Sequence, residues 1–331
     1  MDRRQFLRGC GAAVSSVGLL ARPANASTRA KVFRLGVTNG NLSQMGSGAV
    51  SFAERVTALS AGRMRVDVYP CGTLGGEAET TQDAAKGALE LVVTSSAGYE
   101  RFAPKLSVFD IPFLFRDVAH ARAVLDGPIG QAALASFDNT GLVGLAWCEN
   151  GLRHLTTTTV PVTTPRDLAG LKVRVPQSEA MLAGFKALGA DAQPLPFPEL
   201  FGALSAGEFQ GQENPLANIM GGGFYRVQKY LSLTGHVYST GILLMSRRAS
   251  DALTEDERAV FSAAARAAGP ASREAGDRTA NDNIAELKRR GMTVLSEIDR
   301  AAFIAASQPA LKQFEAKFGK ATLDAIRSYG T

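Results

Sequence analysis

Two short stretches hold side chains whose types and spacing suit the capture of an acid. Lys172-Val173-Arg174-Val175-Pro176 alternates polar and apolar residues, the pattern of a strand with one buried face, and Pro176, which cannot donate to a ladder, ends it. Arg174 therefore stands at a strand exit, where an α/β sheet opens into its ligand crevice. A guanidinium is always charged and grips a carboxylate through two parallel hydrogen bonds. Forty residues on, Gln212-Glu213-Asn214-Pro215 sets an asparagine in an extended turn fixed by the following proline, able to offer an amide donor and a carbonyl acceptor. The plain alternatives are a solvated edge arginine and a turn-capping amide.

Other chemistries find little support. His120, His154 and His236 lie far apart with no H-E-x-x-H spacing, and there is no G-x-S-x-G elbow, P-loop, C-x-x-C or dinucleotide fingerprint. Neither a metal nor a cofactor is expected, because a zinc site needs three or four converging ligands. A rival reading, a lyase or hydrolase acting on a small acid, needs an acid/base pair, for which Glu77, Glu213 and His154 are available.

The elements that must position Arg174 read as α/β. Segments 31–38, 65–69 and 90–94 read as strands separated by helices at 46–59 and 75–89, which implies right-handed crossovers and a largely parallel sheet. Helices near 118–125 and 130–137 precede a buried strand at 142–147, and a new run begins at 152–156. The second half repeats the plan: a short helix opened by Thr164-Pro165, the strand bearing Arg174, a helix at 178–188, a strand near 192–195, helices at 198–205 and 224–231, and a buried strand at 241–246. Thr254 with Glu257 forms a capping-box pattern opening a long helical region to about Arg290, which Gly269-Pro270 should kink or break. Helices near 300–318 and 321–329 finish the chain.

At 331 residues, 45% hydrophobic and 20% charged, the composition is that of a soluble globular protein of one two-lobed unit or two domains. No run of about 18 apolar residues predicts membrane insertion of the mature chain. Arg3-Arg4, a short apolar region at 9–21 and Ala24-Asn25-Ala26 read as a twin-arginine export signal cleaved after about Ala26, which places the mature protein in the periplasm. Removing the net +3 of residues 1–26 from +5 leaves +2, too little to suggest nucleic acid. Cys71 and Cys148 read as two separate thiols, each beside a different strand.

The stretches GLKVRVP, KALGA, PLPFPELFGALSAGEFQGQENP and YRVQKYLSLTGHVYS, in that order and spacing, resemble the periplasmic solute-binding proteins of TRAP transporters, in the C4-dicarboxylate-type branch. The resemblance implies a two-lobed α/β binding-protein fold with a hinge, a central ligand cleft and a long brace helix running along both lobes. The first lobe would be 27–150 with about 240–279, and the second 151–239 with about 280–331, crossing near Asn150-Gly151. It further implies capture of an organic acid, delivery to the membrane subunits of the transporter, and no enzymatic activity. Arg174 and Asn214 match the family's motif positions. Arg153 matches a position that contributes to the acid pocket, with an interlobe salt bridge as the open alternative, and Phe197 matches an aromatic that packs on the solute, with a core role as its alternative. Glu77 matches an acceptor of solute hydroxyls, or is simply a first-turn helix acid. Ser95 stands where sialic-acid-binding relatives carry a glutamate, which argues against sialic acid. Asn39 or Thr38, at the exit of the first strand, and Gln177 complete the candidates. Glu77 beside Arg174 suits a sugar acid such as a uronate; a C4-dicarboxylate would need a second cation, for which Arg153 is available. A ligand-sensing subunit is the remaining alternative.

Overall fold

The computed structural model describes residues 30–330; the expected export signal lies outside the described residues. Nine strands form one sheet: β1 (Lys31–Val37), β2 (Met64–Tyr69), β3 (Leu91–Thr94), β4 (Leu142–Thr157), β5 (Lys172–Val175), β6 (Asp191–Pro194), β7 (Gly211–Pro215), β8 (Tyr230–Ser246) and β9 (Thr293–Leu295). Their order is β2-β1-β3-β8-β4-β7-β5-β6, with β9 also paired to β8. The crossovers β1–β2, β1–β3, β5–β6 and β5–β7 are parallel as expected, but β3–β8, β4–β7 and β4–β8 are antiparallel, so the sheet is mixed rather than largely parallel.

β4 and β8 are 16 and 17 residues long and pair from Leu142↔Ser246 to Thr157↔Tyr230. One end of β8 pairs with β3, and the opposite end of β4 pairs with β7, so both strands pass through the two halves of the sheet. The separate runs expected at 142–147 and 152–156 are thus one strand. Its polar centre, Glu149-Asn150, looked like a break in the sequence, but both side chains are buried. Register shifts at Gly144/Ala146, Glu149/Gly151 and Arg153/Leu155 bend the ribbon without ending it. Gly151 sits at one shift with φ +124°, and a Cβ there would meet Gln44 Nε2 at 2.5 Å. The helix expected at 224–231 is instead one 3₁₀ turn, Phe224–Arg226, because β8 takes the chain from Tyr230.

The long helix Glu255–Arg289 is one 35-residue element, about 52 Å at 1.5 Å per residue. Thr254 accepts the Glu257 N–H and Glu257 accepts the Thr254 N–H, closing the expected capping box. Pro270 does not break it, because that position lies on the exposed side. The helix packs Phe261, Ala264 and Ala268 with β1 and β3 residues such as Phe33 and Val93, and Leu287 with Leu200 and Ile219, thereby bracing both halves. The final helix, Lys320–Arg327, buries Leu323 and Ile326 with Ala121 and Val124. Among the described residues no helix is long and apolar enough to cross a membrane.

Candidate functional site

β5 carries Arg174 on the face opposite Val173 and Val175, which are fully buried, and Arg174 itself is only 2% exposed, so both faces of the strand are covered. Its Nε and Nη2 donate to the Leu195 carbonyl at 2.8 and 2.5 Å, and Nη1 has no protein partner. No described acid forms an ion pair with it. Burial, reinforced by repulsion from Arg153, pulls its pKa down to about 10 against the attraction of Glu213 and Glu77, leaving it charged at neutral pH.

Arg174, Gln177 and Phe197 line one wall of a cavity of about 330 Å³ whose other wall includes Gly76, Glu77 and Ala97. The cavity therefore lies between residues that follow β5 and β6 and residues that follow β2 and β3. Glu77 opens the helix Glu77–Lys86 and accepts both the Ser95 N–H at 2.6 Å and the Ser95 hydroxyl at 3.0 Å. Ser95, 4% exposed, thus fixes the orientation of Glu77. Phe197 also lines an adjoining cavity of about 570 Å³ with Thr38, Asn39, Phe201 and Met220, and its ring meets Phe224 edge-on at 5.8 Å. Gln177 is exposed at the mouth of the smaller space.

Arg153 and Asn214 line neither cavity. Arg153 grips Glu213 through both carboxylate oxygens, Nε at 2.5 Å and Nη2 at 2.8 Å, and reaches Asn214 Oδ1 at 3.3 Å. Since β4 and β7 are adjacent strands, this ion pair lies within one half of the sheet rather than between lobes. His236 Nε2 donates to Glu213 as well, at 2.9 Å. Burial opposes the Glu213 charge, but Arg153 and His236 outweigh it and hold the carboxyl below its usual range. Asn214, in β7 rather than in a turn, donates to Gln212 at 2.5 Å. Arg174, Glu77, Gln177 and Phe197 therefore share one cavity, Asn39 lines the next, and Arg153, Asn214 and Ser95 are joined by hydrogen bonds to each other or to cavity residues. The histidines are held structurally: His154 Nδ1 accepts the Gly235 N–H, and His120 bonds Arg116 N–H and the Ile326 carbonyl. Cys71 and Cys148 are unpaired thiols, and burial pushes Cys148 up to about 12.

The sequence reading missed a buried acid pair close by. Asp110, fully buried, has neither oxygen in a hydrogen bond of normal geometry. Burial pushes its pKa up to about 6, although the nearby hydroxyls of Ser96 and Ser178 favour its charge. Glu100 is pushed up to about 6 by burial and by Asp110, while accepting the Glu179 N–H and facing Lys317 at 3.7 Å. The only signal was a lone acid in the apolar run Phe109-Asp110-Ile111-Pro112-Phe113. Because the Asp110 carboxyl binds its proton more tightly folded than unfolded, it withdraws stability as pH rises from about 4 to about 6. Buried neutral His154, lowered to about 3, acts oppositely over part of this range, so a difference measurement is needed. Asp110→Asn, which keeps the neutral shape, should gain on the wild type from pH 4 to 6 and hold a constant lead above. Thermal melts of both proteins across that range check this; a lead independent of pH refutes it.

The profile of bacterial extracellular solute-binding protein family 7 (DctP) matches residues 35–317. A solute-binding protein of Verminephrobacter eiseniae is 42% identical over 295 residues, 89% of this chain and 88% of that one. A TRAP periplasmic solute-binding protein of Polaromonas with bound D-erythronate is 40% identical, with a TM-score of 0.89 over 91% of this chain and 99% of its own. One from Bordetella bronchiseptica, with density assigned to pantoate, is 40% identical with a TM-score of 0.88, covering 91% and 100%.

Proposed function

We propose, from the premise that this chain belongs to family 7 of the bacterial extracellular solute-binding proteins, that it captures a hydroxylated monocarboxylic acid and passes it to the membrane subunits of a TRAP transporter. It is a binding protein rather than an enzyme, and its compartment is the periplasm, reached through the twin-arginine signal expected at the N-terminus. The observation that carries the reading is Arg174: a buried cation with no acidic partner and an unused Nη1, on a cavity between the two halves of the sheet. A solute carboxylate supplies the missing anion.

Glu77, held by Ser95, faces the same cavity as an acceptor for solute hydroxyls. A second carboxylate would meet this negative charge. The cation that a dicarboxylate would require, Arg153, is already neutralised by Glu213. Both supports favour a monocarboxylate with hydroxyl groups, in keeping with the erythronate and pantoate of the two solved relatives. Closure bends the β4–β8 ribbon at the Glu149/Gly151 shift and brings Glu77 toward Arg174, and it is driven only by a solute that touches both walls. In a thermal-shift screen of organic acids, hydroxylated monocarboxylates such as erythronate should stabilise more than succinate. Ligand at a hundred times its Kd adds about 2.7 kcal/mol of apparent stability. A larger shift with succinate would overturn the assignment of substrate class.

A further inference from the structure

A cavity of about 420 Å³ shares no lining residue with the two cavities around Phe197, and its size is within the range of small-molecule sites, about 300–1,000 Å³. It forms where β8 leaves the ladder: Arg153 pairs with Val237 but Leu155 with Ser232, so residues 233–236 bulge out of register. Gly235, at φ +52°, ties two cavity residues together. Its N–H donates to His154 Nδ1 at 3.1 Å, and its carbonyl accepts from Arg300 Nη1 at 3.1 Å.

This arrangement leaves donors unspent. With Nδ1 accepting, the neutral His154 ring carries its proton on Nε2, and that N–H has no protein partner although the residue is only 8% exposed. Arg300 lies over the Phe113 ring at 4.9 Å and pairs with no described acid. The neighbouring charges are committed elsewhere. Arg116 donates to the carbonyls of Arg327 and Tyr329, and Asp117 caps the His120 N–H. Phe113, Leu152 and Ile298 supply apolar wall.

We propose that this cavity is a second small-molecule site, taking a carboxylate whose oxygens are held by Arg300 and the His154 Nε2–H and whose apolar body rests on Phe113, Leu152 and Ile298. The assignment is independent of the Arg174 reading.

The test titrates 4-fluorobenzoate into the full mature chain and follows its ¹⁹F line width. Wild type and Arg174→Ala should both show saturable binding. Arg300→Gln should weaken it at least about tenfold, as expected for loss of a charge-assisted bond. Ser296→Trp, at an exposed position on the rim, should block entry. Arg300 is exposed too, so these two variants should fold, which their melting curves verify. Absence of saturation in wild type up to roughly ten millimolar, the weakest affinity worth assigning to a site, overturns the proposal. So does binding that disappears in Arg174→Ala but persists in Arg300→Gln and Ser296→Trp, since the probe would then occupy the other cleft.

Discussion

Arg174→Ala should lose about 10²–10⁴ in affinity for the acid while the protein without ligand keeps its stability, because removing one partner of a buried charge pair costs roughly 3–5 kcal/mol. The two halves of this expectation have different causes. In the complex, the solute carboxylate would be left desolvated without its cation. In the free protein, the guanidinium is already a burden: it is 2% exposed, bonded only to the Leu195 carbonyl and repelled by Arg153. Its removal there relieves as much as it forfeits. Arg174→Lys should also bind poorly, since an ammonium cannot reproduce the paired donors of a guanidinium. Calorimetry and melting curves on the same preparations read both quantities. Near wild-type affinity in Arg174→Ala rejects its role; lost affinity accompanied by a collapsed melting temperature would make the role structural.

Glu213→Gln should show the converse. Glu213 is fully buried and answers Arg153 and His236 at once, with Arg174 also within its field. Without that negative charge, the buried Arg153 guanidinium loses the carboxylate it is bonded to, and Arg174 keeps the repulsion of Arg153 while losing the attraction of Glu213. Breaking such a pair costs roughly 3–5 kcal/mol, which lowers Tm by roughly 5–10 °C, since a chain this long shifts by somewhat less than the about 2–4 °C per kcal/mol of smaller proteins. Urea denaturation of the variant measures it directly, and a loss below about 1 kcal/mol, the worth of an exposed ion pair, would contradict the geometry.

The contrast between these two arginines shows what a sequence makes readable. Arg174 was legible because an alternating run ended by Pro176 fixes both its strand and its position at the exit. Glu77 and Phe197 were legible through motif positions, and the cavity brings them together with Arg174. Arg153 was less so: the sequence left a pocket role and a salt bridge open, and its acidic partner Glu213, sixty residues away on β7, is seen only through the β4–β7 register. Asp110 was hidden for the same reason, since the surroundings that raise its pKa come from several separate segments. In the fold, local signals such as Thr254 with Glu257 held, whereas β4 read as two pieces because sequence polarity does not reveal that Glu149 and Asn150 are enclosed by Tyr238, Asn218 and Ser239. Pro270 misled because a helix tolerates proline on its watered side.

The passage of β4 and β8 through both halves has a consequence for how the molecule comes apart. A cut at Asn150 would leave each piece with the torn end of a ladder, so neither half can be excised, expressed alone or traded by recombination as an autonomous module. Heat should therefore dismantle the whole molecule in a single cooperative transition.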